Sequence, residues 1–205
     1  MTPEFAATAG PLILDIVALC DRVAQGTAES GDKERARMVA AFAAAERKLR
    51  GPRAEEWALA SYALAAVLDE LLIVDIKWSG ASWWENHPIE VELFGTRRRA
   101  TEFFERAKQA ASYNVRDSLT MFAAAVAMGF RGIVRDDPEG LKAWMRANGQ
   151  VLKLDDGRPV VKTRAGQLPG APPLSSPVRI IWQGLSAAVA VMVAIVTAWW
   201  AFVVS

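Results

Sequence analysis

The pattern of apolar and polar residues predicts a helical protein. Along the first 150 residues, apolar positions recur at helical spacing, and the strict alternation that marks strands is nearly absent. Glycine, proline and polar turns divide this region into predicted helices over about 2–25, 32–50, 53–76, 88–94, 96–111, 115–130 and 138–148. Thr2 and Thr96 have the positions of helix N-caps, and Gly10-Pro11 predicts a kink in the first helix.

The predicted helix over 53–76 is apolar on two sides. One stripe steps by three and four residues, through Trp57, Ala60, Leu64, Val67, Leu71 and Val74. The opposite side is also apolar and holds Tyr62, Ala66, Ile73 and Ile76. A helix that is hydrophobic on all sides is buried in a protein core. We therefore expect this helix to lie at the centre of the fold and to join two small helical bundles.

The C-terminal segment has the features of a transmembrane helix. Residues 180–205 carry no charge, although the whole chain has 24 basic and 23 acidic residues. A helix over 180–204 would be about 38 Å long, enough to cross a hydrocarbon core of about 30 Å with some tilt. Trp182 lies near one end and Trp199 and Trp200 near the other, as in interfacial aromatic belts. A buried core helix is the alternative, but such helices rarely run this far without a charge.

The segment before this helix predicts its orientation. Residues 157–179 include four basic side chains and no acidic one, and positive flanks stay on the cytoplasmic side of a membrane. We therefore expect a tail-anchored protein whose domain over 1–150 is cytoplasmic, with Arg179 at the membrane interface. Residues 151–179 are predicted as a linker. Within it, Asp156-Gly157 is typical of a small hairpin turn, and prolines near its end favour an extended spacer.

Composition and motifs narrow the function classes. The net charge of +1 gives no signature of polyanion binding, so nucleic acid is not an expected partner. The single Cys excludes an intramolecular disulfide, and one Cys with one His disfavours a zinc site. The sequence contains no Gly-x-Gly-x-x-Gly, Walker, HExxH or GxSxG motif. We therefore predict no enzyme, no catalytic residue, no metal and no cofactor.

Three acidic residues stand out on the central helix. Asp69, Glu70 and Asp75 are the only charged residues from Trp57 to Ile76. Asp69 shares an apolar side with other residues of this helix, where a carboxylate must be paired or open to water. Two interpretations stay open: a structural acid bonded to a neighbouring helix end or arginine, and an acid lining a cleft for a partner. A catalytic dyad is disfavoured, because adjacent helical residues diverge by about 100°.

Two further clusters have alternative interpretations. Trp78, Trp83 and Trp84 lie in a predicted loop that either covers the end of a bundle or binds a protein. The run Arg97-Arg98-Arg99 at a helix start opposes the helix dipole and requires a partner. That partner could be local acids, anionic headgroups or another subunit.

Several motifs occur in an order that resembles a known family. These are Tyr62-Ala-Leu-Ala-Ala-Val-Leu-Asp69-Glu70, the Trp-rich loop, Phe103-Phe104-Glu105, Met128-Gly129-Phe130-Arg131-Gly132 and the lone C-terminal span. Together they resemble the TssL/DotU (IcmH) family of inner-membrane subunits of bacterial type VI secretion systems, with relatives in type IVB systems.

The resemblance implies an all-α, hook-like cytoplasmic domain of two three-helix bundles, with the acidic pair at the cleft between them. It also implies assembly with a TssM/IcmF-like inner-membrane protein, docking of TssK-like and TssE-like baseplate subunits, and self-association. The predicted partner-binding residues are Asp69, Glu70, Asp75, Tyr62, Trp83 and Trp84. The alternatives are a membrane-tethered enzyme or ligand-binding module that uses the acidic cleft, and a type IVB relative.

Overall fold

The computed structural model describes residues 1–49, 51 and 53–152. Its helices are α1 (Pro3–Ala24), α2 (Gly31–Lys48), α3 (Ala54–Glu70), α4 (Ala81–Asn86), α5 (Ile89–Phe94), α6 (Arg99–Ser112), α7 (Asp117–Met128) and α8 (Pro138–Val151). A π-helical segment, Leu71–Asp75, continues α3, and a 3₁₀ turn, Gly132–Val134, precedes α8. This part of the chain contains no strand, which confirms the all-helical prediction for it. The predicted transmembrane helix, with its flanking Arg179, and almost all of the predicted linker lie outside the described residues.

Helix α3 lies at the centre of the core, as its two apolar sides predicted. Every residue from Leu59 to Glu70 is buried. Helices α2, α5, α6 and α7 all contact α3, while α1 packs along α2. Phe5 of α1 also reaches α3 and meets the Trp57 ring edge-on, with 5.7 Å between ring centroids. The described helices share one hydrophobic cluster, and the hook shape with two bundles stays a prediction.

The end of the central helix differs from the predicted α-helix. The N–H of Ile76 donates to the carbonyl of Leu71 at 2.8 Å, five residues earlier rather than four. Such a π-helical turn fits an extra residue into the turn and shifts the side chains that follow. Val74, which the sequence placed in the buried stripe, is therefore exposed.

The ends of other elements also differ. Helix α4 forms where a loop was predicted. Helix α6 begins at Arg99 and is not capped by Thr96, whose hydroxyl donates to Glu90 at 2.8 Å. Thr2 does hold the N-cap position of α1, but its side chain bonds to Asp117 of α7 instead of capping the helix. At both threonines, a contact outside the helix replaces the local capping hydrogen bond that the sequence pattern predicted.

Helix α1 continues through Pro11 as one element, in agreement with the predicted helix over about 2–25, and the kink at Gly10-Pro11 stays a prediction. One predicted boundary falls inside a helix. Val151, which the sequence placed at the start of the linker, is the last residue of α8.

Candidate functional site

Asp69 ties α3 to the segment that carries α4 and α5. Its carboxylate is fully buried. Oδ1 accepts hydrogen bonds from Nε1 of Trp84 at 2.8 Å and from the backbone N–H of Ile89 at 2.9 Å. Oδ2 accepts the backbone N–H of Glu90 at 2.8 Å. The first N–H groups of a helix have no partner within it, so Asp69 satisfies two of them at the start of α5.

Burial dominates the electrostatics of Asp69. Removal from water raises the pKa of its carboxyl to about 6, although hydrogen bonds from Glu90, Trp84 and Ile89 favour the charged form. These contacts are those expected of a structural acid that is hydrogen-bonded to the end of a neighbouring helix. A role in partner binding stays a prediction, and it would act through the placement of α4 and α5.

Glu70 is bound to a different part of the fold. Its carboxylate accepts the backbone N–H groups of Arg131 at 2.9 Å and Gly132 at 3.0 Å, both in the turn after α7. A terminal nitrogen of Arg135 lies 2.7 Å from the same carboxylate. Asp69 and Glu70 therefore diverge, as helix geometry predicted, and each connects α3 to a different element.

A glycine makes the Glu70 contact sterically feasible. Gly132 has a φ of 51°, in the left-handed region that side chains disfavour. A Cβ at this position would lie only 2.8 Å from the carbonyl oxygen of Ala100. The glycines of the Met128–Gly132 motif are typical of a tight helix end.

The acidic end of the π-helical segment reaches the surface. Arg135 donates to Oδ1 of Asp75 at 2.8 Å while it also contacts Glu70. Val74 and Ile133, on the two turns that this ion pair connects, are both exposed. We call Val74, Asp75, Ile133 and Arg135 the rim patch. It combines exposed apolar side chains with a fixed ion pair, a composition found at protein interfaces.

Tyr62 contributes to a buried polar cluster. Its hydroxyl donates to Oε1 of Glu90 at 3.1 Å, and Glu90 also accepts the backbone N–H of Arg98 at 2.9 Å. The guanidinium of Arg106 lies 3.8 Å from the centroid of the Tyr62 ring, within cation–π distance. Burial and the neighbouring Glu90 raise the pKa of the Tyr62 phenol. The phenol is therefore enclosed between α3, α5 and α6.

Part of the Trp-rich segment packs on the core and covers it. Trp84 is fully buried, and Trp78 donates from Nε1 to the carbonyl of Leu72 at 2.8 Å. Trp83 is half-buried and stacks on the ring of His87, with centroids 4.4 Å apart. Of the six predicted partner-binding residues, only Asp75 and Trp83 reach the surface, while Asp69, Glu70, Tyr62 and Trp84 are buried.

The arginine run at the start of α6 finds its partners nearby. Arg98 pairs with Glu102 at 3.4 Å, and Arg99 lies 3.9 Å from the buried Glu90. Arg97 donates to the carbonyl of Asn86 at 3.0 Å.

The sequence pattern did not indicate Glu90 and Arg135 as residues of this site, because their partners lie on other elements and no local motif marks them.

A cavity of about 380 Å³ lies between α2, α3 and α5, away from the acidic pair. Its lining is mostly apolar and includes Val39, Phe42, Trp57, Leu93 and Phe94. Within the described ranges, no group of three His, Cys, Asp or Glu side chains has the geometry to hold a metal ion.

Three described helices are long and apolar enough to cross a membrane by length and composition alone. They are Pro3–Ala24, Ala54–Asp75 and Asp117–Val134. In Ala54–Asp75, 78% of the apolar window is buried inside the domain, which accounts for its apolar composition. In Pro3–Ala24, only 33% of the window is buried.

The fold and this site define a class of all-helical domains in which a buried central helix carries an acidic pair that joins two neighbouring elements. The family model of the type VI secretion system protein DotU matches residues 4–204. The chain therefore belongs to the DotU family, whose members are structural, membrane-associated subunits of type VI secretion systems with a cytoplasmic domain.

A solved structure, the cytoplasmic domain of TssL from Acinetobacter baumannii, has a similar fold. The two chains are 21% identical, and the match has a TM-score of 0.59 and covers 70% of this chain and 95% of that one. At this identity the likeness concerns the fold. A comparison with curated protein sequences finds no match.

Proposed function

We propose that this protein is a non-catalytic inner-membrane subunit that docks cytoplasmic baseplate components to the type VI membrane complex. It binds a TssM/IcmF-like protein in the membrane, TssK-like and TssE-like subunits on the cytoplasmic side, and further copies of itself. Membership of the DotU family supports the system and the membrane association. The observation that carries the docking role is the rim patch, an exposed surface held in place by the buried Glu70.

Contacts within the domain hold the rim patch in place without a partner. Arg135 is fixed from two sides, by Glu70 at 2.7 Å and by Asp75 at 2.8 Å. Glu70 in turn holds the backbone of the turn at Gly132. A surface ordered in advance loses less conformational entropy on binding. Val74 and Ile133 add the apolar area that an interface requires at its centre.

For the membrane attachment, we propose one span over 180–204, with the domain over 1–150 in the cytoplasm. Support comes from the uncharged sequence, from Arg179 on the basic flank, and from the belt residues Trp182, Trp199 and Trp200.

The test is affinity purification of the full-length protein from its native membrane in mild detergent, with mass spectrometry of the proteins recovered. Wild type should recover a large TssM/IcmF-like protein and baseplate subunits. Asp75→Lys should lose the baseplate subunits, because it reverses the exposed charge of the rim patch. Glu105→Lys is the matched control, since this exposed acid lies on α6 outside the patch.

Two outcomes would contradict the proposal. Recovery of neither partner class by wild type would overturn the function itself. Retained baseplate binding by a folded Asp75→Lys variant, verified by circular dichroism, would leave the function but exclude the rim patch. Charge reversal at Asp69 or Glu70 is less informative, because both are buried and the fold would suffer first.

A further inference from the structure

Two arginines from different elements are anchored at the end of α4. Arg97 donates from a terminal nitrogen to the carbonyl of Asn86 at 3.0 Å. Arg35, on α2, donates from Nε to the carbonyl of the next residue, His87, at 2.8 Å. Arg98 follows Arg97 in the chain, and its side chain is 72% exposed. We call Arg35, Arg97 and Arg98 the arginine patch.

The domain balances the charge of this patch incompletely. Arg98 lies 3.4 Å from Oε1 of Glu102, while Oε2 of the same carboxylate accepts from Arg106 at 3.0 Å. One carboxylate is thus shared by two guanidinium groups. Arg97 is exposed, and no carboxylate in the described part of the chain lies within 4.0 Å of its guanidinium nitrogens. An anionic group from another molecule would therefore complete the pairing.

The position of this surplus charge makes it costly for the isolated domain. Arg98 and Arg99 stand at the start of α6, where the positive end of the helix dipole disfavours cations. Arg99 lies 3.9 Å from the buried Oε2 of Glu90, which is longer than a direct hydrogen bond. A negative charge placed here from outside would reduce the repulsion, so the patch favours an anionic partner.

We propose that the arginine patch binds carboxylate side chains of an acidic segment in a protein partner. A guanidinium group matches the geometry of a carboxylate and can donate two parallel N–H bonds to it. The contact with Asn86 uses one terminal nitrogen of Arg97, and its other nitrogens make no bond to a described residue. The bonds to Asn86 and His87 also hold two of the guanidinium groups in place before a partner binds, which lowers the entropy cost of binding.

The charges next to the patch favour a protein over a lipid surface. Glu92 is 48% exposed and pairs with Arg35 at 2.8 Å. Glu85, which directly precedes Asn86, is also exposed. An anionic bilayer would meet these carboxylates together with the arginines, whereas lipid-binding surfaces are clusters of Lys and Arg. A protein can place its own carboxylates beside the arginines and leave the two glutamates in water.

This surface rests on the proposed function, which supplies the protein partner, and adds the chemistry that the partner must present. Its residues belong to α2 and to the turn before α6, so it is made by different elements from the rim patch. The two surfaces can therefore be tested separately.

The first test measures binding of a fluorescein-labelled oligoglutamate peptide to the full-length protein in non-ionic detergent, by fluorescence anisotropy at low ionic strength. Arg97→Glu and Arg98→Glu should each weaken binding about tenfold or more, and added salt should weaken binding to wild type. Arg47→Glu is the matched control, because Arg47 is exposed on α2 and the change in charge is the same. Equal weakening by all three variants would show that only net charge matters and would overturn the patch, as would a wild type that does not bind.

The second test separates carboxylate from phosphate. Glutarate and glycerol phosphate compete with the peptide at constant ionic strength, and glutarate should displace it at least as well. Displacement by glycerol phosphate alone would indicate a lipid headgroup and overturn the assignment to a protein.

The third test is the recovery of subunits from the native membrane. Arg98→Glu should recover less of a baseplate subunit than Arg47→Glu does, with circular dichroism to verify that both variants are folded. Equal recovery by the two variants would overturn the patch. A wild type that recovers no baseplate subunit would overturn the proposed function instead, and the peptide measurement would then decide the patch by itself.

Discussion

The indole nitrogen of Trp84 lies 2.8 Å from Oδ1 of Asp69, and both side chains are fully buried. Two residues that the sequence suggested for partner binding are therefore bonded to each other. The bond fixes α4 against the end of α3, and the half-buried Trp83 is carried on the same short helix. The position of Trp83 thus depends on a carboxylate that a partner cannot touch.

The adjacent tryptophans provide a matched pair of variants. Trp84→Phe removes one hydrogen-bond donor from a buried carboxylate, so we expect the free energy of unfolding to fall by about 1–3 kcal/mol. Trp83→Phe should have a smaller effect, because Trp83 is half-buried and stacks mainly on His87. Urea denaturation of both variants measures the difference. Equal losses would show that the bond to Asp69 contributes little.

Asp69→Asn should change how stability depends on pH. Burial raises the pKa of Asp69 from 3.8 to about 6, so the folded state holds a proton that the unfolded state has lost between these values. The contribution of Asp69 to the free energy of unfolding is therefore fully present below about pH 4. It falls by up to about 3 kcal/mol as the pH rises from about 4 to about 6. Asparagine cannot titrate, and its NH₂ group faces an N–H donor. At acidic pH, the free energy of unfolding of the variant should therefore be lower than that of wild type by about 1–3 kcal/mol.

The measurement for Asp69→Asn is urea unfolding of both proteins from pH 4 to pH 7. The stability difference between wild type and the variant should narrow as pH rises. A difference that widens would mean that the three hydrogen bonds outweigh burial and favour the charged carboxylate.

Gly132→Ala should destabilise the turn that Glu70 holds. The left-handed φ of 51° disfavours any side chain, and the new Cβ would lie 2.8 Å from the carbonyl oxygen of Ala100. We expect a loss of about 1–3 kcal/mol. Gly149→Ala is the control, because this glycine lies within α8 with open space around it. There alanine should be neutral or stabilising by up to about 1 kcal/mol. Similar effects at both positions would contradict the role of Gly132.

Sequence reasoning succeeded where one helix determines the outcome. The two apolar sides of 53–76 predicted a central helix, and the angle between adjacent residues predicted that Asp69 and Glu70 diverge. Both inferences need only the period of an α-helix. The same reasoning failed at Val74, because the π-helical turn has a different period and nothing in the apolar spacing announced it.

The remaining differences come from contacts between distant residues. Helix α4 spans only Ala81–Asn86, too short for a periodic pattern, and the burial of Trp84 against Asp69 stabilises it. The partner of Glu70 at Arg135 lies 65 residues away in the sequence. Such pairs become visible only once the chain is folded.

Asp117→Asn should show the opposite pH dependence to Asp69→Asn. Asp117 is nearly fully buried, yet its carboxylate accepts the backbone N–H of Thr2 at 2.8 Å and bonds to Arg53. Burial raises its pKa, but the bonds from Thr2 and Arg53 outweigh burial and lower it below the usual range. The stabilisation is therefore present above about pH 4 and is lost as pH falls through the lowered pKa.

We expect Asp117→Asn to reduce stability by about 1–3 kcal/mol at pH 7 and by less near pH 3. The cost should be local to the start of α1, because Asp117 holds Thr2 there. Urea unfolding across this pH range tests the first part, and amide hydrogen exchange over residues 3–9 tests the second. A pH-independent difference would show that the charge of Asp117 does not matter. Unchanged exchange in α1 would show that Arg53, rather than Thr2, carries the contribution of this carboxylate.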